Sequence, residues 1–236
     1  LNTKCPVIFE DEWLLIINKP AGLVVHVNPG DEALGRENLQ SILESERARK
    51  LTLFHRLDRD TTGLVMLGKR TEINAAMSEA FEKKRVRKSY FAVVSGEWRP
   101  EWNKTENFLA RLPDGGWTNQ DARLSEADKA AVTTFRLLKT NSQRSWIEAI
   151  PKTGRTHQIR LHCQGRSSPI LGDRLYNPRV EVDSPPHALH AYRLDFTHPV
   201  TKEKQRVFAP PPAYWLDHWL VGLDDGKRLH SILTPS

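Results

Sequence analysis

A block of charge, His55-Arg56-Leu57-Asp58-Arg59-Asp60, stands directly before the apolar run Leu64-Val65-Met66-Leu67. Two aspartates, two arginines and a histidine within six residues leave such a stretch few ways to fold. The apolar run reads as a strand in the core, and Phe54 is apolar on the other side, so the charge is drawn into the body of the fold. Burying charge is costly, and chains tolerate it mainly where chemistry or a ligand needs it. A carboxylate held among cations stays ionised and remains available as a nucleophile or base. A surface turn with solvated charges is the competing reading of the same residues.

The chain has 236 residues, 39% hydrophobic and 27% charged, enough for one large domain or two small ones with a buried core. No stretch approaches the roughly 20 apolar residues of a membrane span. Cys5 and Cys163 are the only cysteines, which makes neither a disulfide framework nor a zinc site and suits a reducing cytosol. A formal net charge of +6 favours an anionic partner, RNA or DNA first. The basic residues cluster in Lys83-Lys84-Arg85-Val86-Arg87-Lys88, part of which can complement a helix C-terminus.

Along the chain, residues 6–9 and 13–17 read as strands joined at Glu10-Asp11-Glu12, and Asn18-Lys19-Pro20-Ala21-Gly22 as a turn. Residues 23–27 are β-rich, and Leu39, Ile42 and Leu43 line one face of a helix over about 36–49. After the Asp58 loop come a strand at 64–67, a helix over about 72–84, and a strand at 89–95. In that strand Tyr90, Ala92 and Val94 share one face. Residues 96–130 read as an irregular excursion with room for short strands. A hairpin follows, 131–138 with 145–150, then a helix over 156–164 closed by Gly165. Two more strands, at 191–197 and 205–209, precede an amphipathic helix with Trp215, Leu216, Trp219 and Leu220. Hairpin connections this frequent point to one mixed α/β (α+β) domain over 1–236, its sheet largely antiparallel with flanking helices.

Two segments concentrate the chemistry. Asp58 and Asp60, two apart on an extended segment, would point to the same side and offer a nucleophile and an acid. The same D-x-D-x-T run suggests a phosphatase, but His55 and Arg56 interrupt the apolar strand that reading requires, and a late acidic metal site has little chain left to hold it. In Thr153-Gly154-Arg155-Thr156-His157-Gln158-Ile159-Arg160-Leu161-His162, an arginine at a helix start opposes the dipole and calls for an anion. His157 and His162 are five apart, the wrong spacing for two metal ligands on one helix face. Tyr90 is either a core tyrosine or, beside the cationic 85–88 edge, a platform for a nucleobase.

In this order the segments resemble the RluA-type pseudouridine synthases. Asn18 to Leu23 resembles the family's first motif, His55 to Leu64 its signature, and Lys88 to Gly96 its tyrosine strand. Thr153 to His162, Pro169 to Asp173 and Leu189-His190-Ala191 complete the set, over about residues 5–212. The resemblance implies a pseudouridine-synthase-like catalytic domain with a central RNA-binding cleft. It implies isomerisation of uridine in large-subunit rRNA or tRNA, in the cytoplasm, without metal or organic cofactor. Asp58 would be the nucleophile, Tyr90 would stack on the base, and Arg155 would pair with Asp58. Substrate binding would fall to Lys19, His55, Arg56, Arg59, Lys88, His157, Arg160 and Leu189. Among these, Arg56 would hold or replace the displaced base, Lys19, Lys88 and Arg160 would touch the RNA backbone, and Leu189 would wall the turned ring. The S4-type RNA-binding module of several ribosomal-RNA members is not found in this sequence, so the expectation is either a compact single-domain member or one whose module was removed with a missing start, and a monomer. An RNA-binding protein that keeps the fold without catalysis is the alternative class.

Overall fold

The structure is a computed structural model describing residues 5–26, 38–224 and 226–234. The chain divides into two compact units, one of residues 1–87 and 191–212, the other of residues 88–190 and 213–236.

In the first unit, β1 (Val7–Glu10) pairs antiparallel with β2 (Leu14–Lys19). The Asp11 carboxylate closes their hairpin by accepting from the Trp13 and Leu14 amides, both at 2.7 Å. β2 pairs antiparallel with β4 (Thr62–Gly68), Leu14 opposite Gly68 and Lys19 opposite Gly63, and β3 (Thr52–Leu53) adds to β4. β10 (Leu189–Thr197) and β11 (Lys204–Phe208) form a further antiparallel pair. Period-two alternation aims Leu14, Ile16, Leu64, Met66, Leu194 and Phe196 into one core, which Ile73 and Met77 cover from α2 (Asn74–Glu82) and the turn before it. Leu15, Ile17, Val65 and Leu67 are equally buried, so β2 and β4 carry the continuous apolar runs of strands covered on both faces. α1 (Leu39–Arg47) starts at a reciprocal cap between Asn38 and Ser41.

In the second unit, β5 (Arg87–Ser95) pairs with β9 (Arg144–Pro151), β9 with β8 (Lys129–Thr140), β8 with β6 (Lys104–Arg111), and β6 with β7 (Trp117–Gln120), each antiparallel. The β8–β9 hairpin turns on Asn141, whose side-chain oxygen accepts from the Gln143 and Arg144 amides. α3 (Gln158–Gly165) brings Leu161 onto Leu109 and Ala131. A single π turn (Trp215–Trp219) and α4 (Lys227–Leu233) end the described chain. The mixed α/β class with largely antiparallel pairing agrees with the sequence reading.

Several local readings differ from the structure. Residues 23–26 form no strand, because the Val24 and Val25 carbonyls accept from the Leu39 and Gln40 amides and so satisfy the start of α1. Val27, and the helix start read at Arg36, lie outside the described residues. The short strands allowed for in the excursion at 96–130 are β6 and β7, the former eight residues long. α3 starts at Gln158 rather than Thr156, because His157 adopts the left-handed backbone, φ +54°. The amphipathic helix read over Trp215–Leu220 is only the π turn.

Candidate active site

Asp58 lies in the connection between β3 and β4. Residues 54–58 have no regular structure, and the Asp58 carbonyl accepts from the Thr61 amide at 3.2 Å, closing a turn one residue before β4 begins. This turn replaces the extended segment read from the sequence, so strand alternation does not set the directions of Asp58 and Asp60. Asp58 and Asp60 are half-buried, Arg56 and Arg59 exposed. Arg59 Nε reaches Asp60 Oδ1 at 3.4 Å. His55 turns inward: its Nε2 accepts from the Met66 amide at 3.0 Å and its ring stacks on Phe81, centroids 4.9 Å apart. An accepting Nε2 puts the neutral ring's proton on Nδ1. His55 thereby ties the loop to β4 and α2.

Lys19 departs most from its expected role. It is fully buried, and its ammonium donates to the carbonyls of Pro20 (2.7 Å), Leu23 (2.9 Å) and Arg59 (2.8 Å). Burial pushes its pKa down to about 8, against the opposing charges of Asp60, Cys5 and Asp58. A lysine spent on three carbonyls is an internal clamp between the Lys19–Leu23 turn and the Asp58 loop. Contact with the RNA backbone does not fit that burial.

The second unit carries the remaining residues. Tyr90 stands on β5 opposite Ala149, 7% exposed. Lys88 is half-buried, and burial lowers its pKa; its Nζ lies 3.5 Å from where a Cβ on Gly154 would stand. Arg155 is exposed on the turn before α3, with Nε donating to the Ala130 carbonyl at 3.3 Å. His157 Nδ1 and the Tyr176 hydroxyl are 2.7 Å apart. Leu189, at the start of β10, is buried, its amide on the His187 carbonyl.

Arg160, expected at the RNA backbone, is instead buried in a bidentate pair with Asp173, Nε–Oδ2 2.7 Å and Nη2–Oδ1 2.8 Å. Its guanidinium also sits 4.9 Å from the Tyr176 ring centroid. Burial alone would raise the Asp173 pKa, but the hydrogen bonds and charge of Arg160 outweigh it and hold the carboxyl below its usual range.

The first unit therefore gathers Lys19, His55, Arg59 and Asp60 around the Asp58 turn. In the second, Lys88 meets the Arg155 turn, and His157 and Arg160 converge on Tyr176. Sequence reasoning assigned no role to Gln158, Asp173 or Tyr176, whose contacts span distant parts of the chain. The only signal was that Gln158 and Asp173 fall inside motif segments.

The chain matches the family described as RNA pseudouridylate synthase over residues 13–165. It is 34% identical over 210 residues to the ribosomal large subunit pseudouridine synthase C of Vibrio vulnificus, covering 86% of this chain and 65% of that protein. The match thus spans just under two thirds of that relative's length. An RNA pseudouridine synthase of Synechocystis is 34% identical over 221 residues, 91% of this chain and 68% of the relative. Among solved structures, human RNA pseudouridylate synthase domain containing 4 superimposes with a TM-score of 0.72 at 25% identity, covering 93% of this chain and 94% of that one.

Proposed function

The chain belongs to the RluA-type RNA pseudouridylate synthases, and from that premise we propose that it isomerises uridine to pseudouridine in RNA, with Asp58 as the nucleophile and without metal or organic cofactor. A carboxylate oxygen of Asp58 attacks the target nucleotide at C1′ of the ribose or C6 of the base. The C1′–N1 bond breaks, the uracil turns, a C1′–C5 bond forms, and the bond between Asp58 and the nucleotide breaks to return the free carboxylate. The proton on C5 leaves and N1 takes one up, so nothing is oxidised or reduced. In this scheme Tyr90 lies against the base, Arg155 pairs with Asp58, and Leu189 walls the turned ring. Arg56 and Arg59, exposed on the Asp58 loop, face the RNA.

The observation that carries this reading is that the matched stretch, residues 13–165, takes in Asp58, Tyr90 and Arg155 together, with the His55–Leu64 motif intact. The local physics is compatible with it. A base inside a stem is out of reach and must be flipped out at a cost of a few kcal/mol, which cationic contacts to phosphate help offset. We take large-subunit ribosomal RNA as the first substrate to test, from the names of the relatives, with tRNA as the second, and the cytoplasm as the setting.

The test is release of tritium from RNA labelled at uridine C5, using both RNAs. The intact protein should release it, while Asp58→Ala and Asp58→Asn should bind RNA yet release none. Full activity in Asp58→Ala would defeat the assignment. Mapping pseudouridines in RNA from cells with and without the protein then identifies the modified position.

A further inference from the structure

The β8–β9 register ends at Thr133 opposite Pro151, the Lys152 amide still donates to the Val132 carbonyl at 2.8 Å, and the chain then parts from β8 to form the turn that carries Arg155. A turn beyond the end of a ladder has lost its regular backbone partners and needs others. Gln158, the first residue of α3 and 4% exposed, supplies them. Its Oε1 accepts from the Thr153 hydroxyl at 2.6 Å and from the Arg155 amide at 3.1 Å. Its Nε2 donates to the Val132 carbonyl at 3.0 Å and to Thr133 Oγ1 at 2.9 Å.

Both ends of this one amide are therefore occupied twice, and its orientation is fixed. A flipped amide would aim its NH2 at the Arg155 N–H and its oxygen at the Val132 carbonyl. Thr153 closes the circuit, its Oγ1 accepting from the Val132 amide at 3.0 Å. The Arg155 side chain runs to the same strand, Nε on the Ala130 carbonyl at 3.3 Å. The backbone and side chain of Arg155 are thus both referenced to residues 130–133 of β8, the backbone through Gln158.

We infer that Gln158 is a positioning residue for the isomerisation, the side chain that fixes the Arg155 turn on β8 and so sets where the guanidinium stands. This deepens the proposed function and rests on its reading of Arg155. Gln158 itself touches no reacting atom. Its loss should therefore slow turnover without weakening RNA binding.

The experiment compares Gln158→Leu and Thr153→Val with the intact protein, measuring the rate of tritium release at saturating enzyme, the half-saturating concentration for RNA, and thermal unfolding. Misplacing a group by about 1 Å costs on the order of 100-fold in rate, so a folded Gln158→Leu should fall roughly 10- to 100-fold at saturation. Its half-saturating concentration should stay within about twofold, the signature of a group that acts only on the chemical step. Thr153→Val should shift in the same direction by less. A folded variant at the intact rate, or one whose rate and RNA affinity fall together, overturns the inference. So does loss of the fold in both variants, which makes Gln158 part of the scaffold. No turnover by the intact protein would instead fail the synthase reading, and an unaffected Arg155→Ala would fail the reading of Arg155.

Discussion

The Lys19 ammonium, fully buried, donates to the carbonyl of Arg59, the residue that follows Asp58. Two opposing terms decide what this contact is worth. Lowering the lysine pKa from its ordinary 10.5 to about 8 corresponds to roughly 3 kcal/mol of penalty for keeping the charge inside. Removing the ammonium relieves that penalty but orphans the carbonyls of Pro20, Leu23 and Arg59, at about 1–3 kcal/mol each. The second term is the larger. Lys19→Met, which keeps the aliphatic stem, should lose about 2 kcal/mol in urea denaturation. It should lose proportionately more tritium-release activity, because the freed carbonyl belongs to the Asp58 loop. Equal stability with unchanged activity would show that the clamp does nothing.

Gly63 approaches Ala191 so closely that a Cβ on it would fall 2.3 Å from the Ala191 carbonyl oxygen and 2.6 Å from its nitrogen. Its φ of +114° is also outside the range other residues adopt readily. Backbone cannot yield as a flexible side chain can. Gly63→Ala should therefore cost more than about 3 kcal/mol or leave the protein insoluble. Gly96 is the control: φ is +73° but a Cβ there meets nothing within 4 Å, so Gly96→Ala should cost only about 1–2 kcal/mol. Thermal melts of the two variants give the comparison, and similar losses would refute the steric account.

These contacts mark the limit of what the sequence discloses. The apolar runs at 14–17 and 64–67 and the charged block between them were legible because strand periodicity and burial are local signals. Tyr90 on its strand was legible for the same reason, whereas Asp58, argued from an extended segment, and Arg155, read at a helix start, both lie on turns. Lys19 and Arg160 were expected at the RNA backbone because charged residues are usually exposed, and both are buried. What buries them, the Arg59 carbonyl and Asp173, lies 40 and 13 residues away. The shifted start of α3 was illegible too, since it depends on His157 in a left-handed conformation that its residue type does not announce. Short strands were allowed for within residues 96–130, but the bounds of β6 and β7 were not legible, because turn-rich composition masked strands that their partners stabilise.

The Arg160–Asp173 pair gives a further prediction. Both side chains are buried and the carboxylate also accepts from the Leu175 and Tyr176 amides, so the charges are well satisfied as they stand. Removing one member leaves the other charged in a poorly solvated site, at about 3–5 kcal/mol. Arg160→Met should lose that much in chemical denaturation. If Arg160 instead served mainly to hold RNA phosphate, the variant would keep its stability and lose affinity with a reduced salt slope.

His162 sets how the protein responds to acid. It is 1% exposed, with Nε2 3.0 Å from Asn107 Oδ1, and burial, aided by the charge of Arg166, pushes its pKa down to about 4 from 6.5. Between those values the unfolded chain binds a proton that the folded chain refuses. Stability from this group is therefore complete above pH 6.5 and is lost as the pH falls toward 4. At pH 4.5 the loss amounts to about 2 kcal/mol. His162→Gln presents a neutral donor to Asn107 and cannot take up that proton. The drop in unfolding free energy between pH 7.5 and 4.5 should be smaller in His162→Gln by about 2 kcal/mol, and proton uptake on unfolding at pH 5 should fall by nearly one. Parallel profiles for the two proteins would place the acid sensitivity elsewhere.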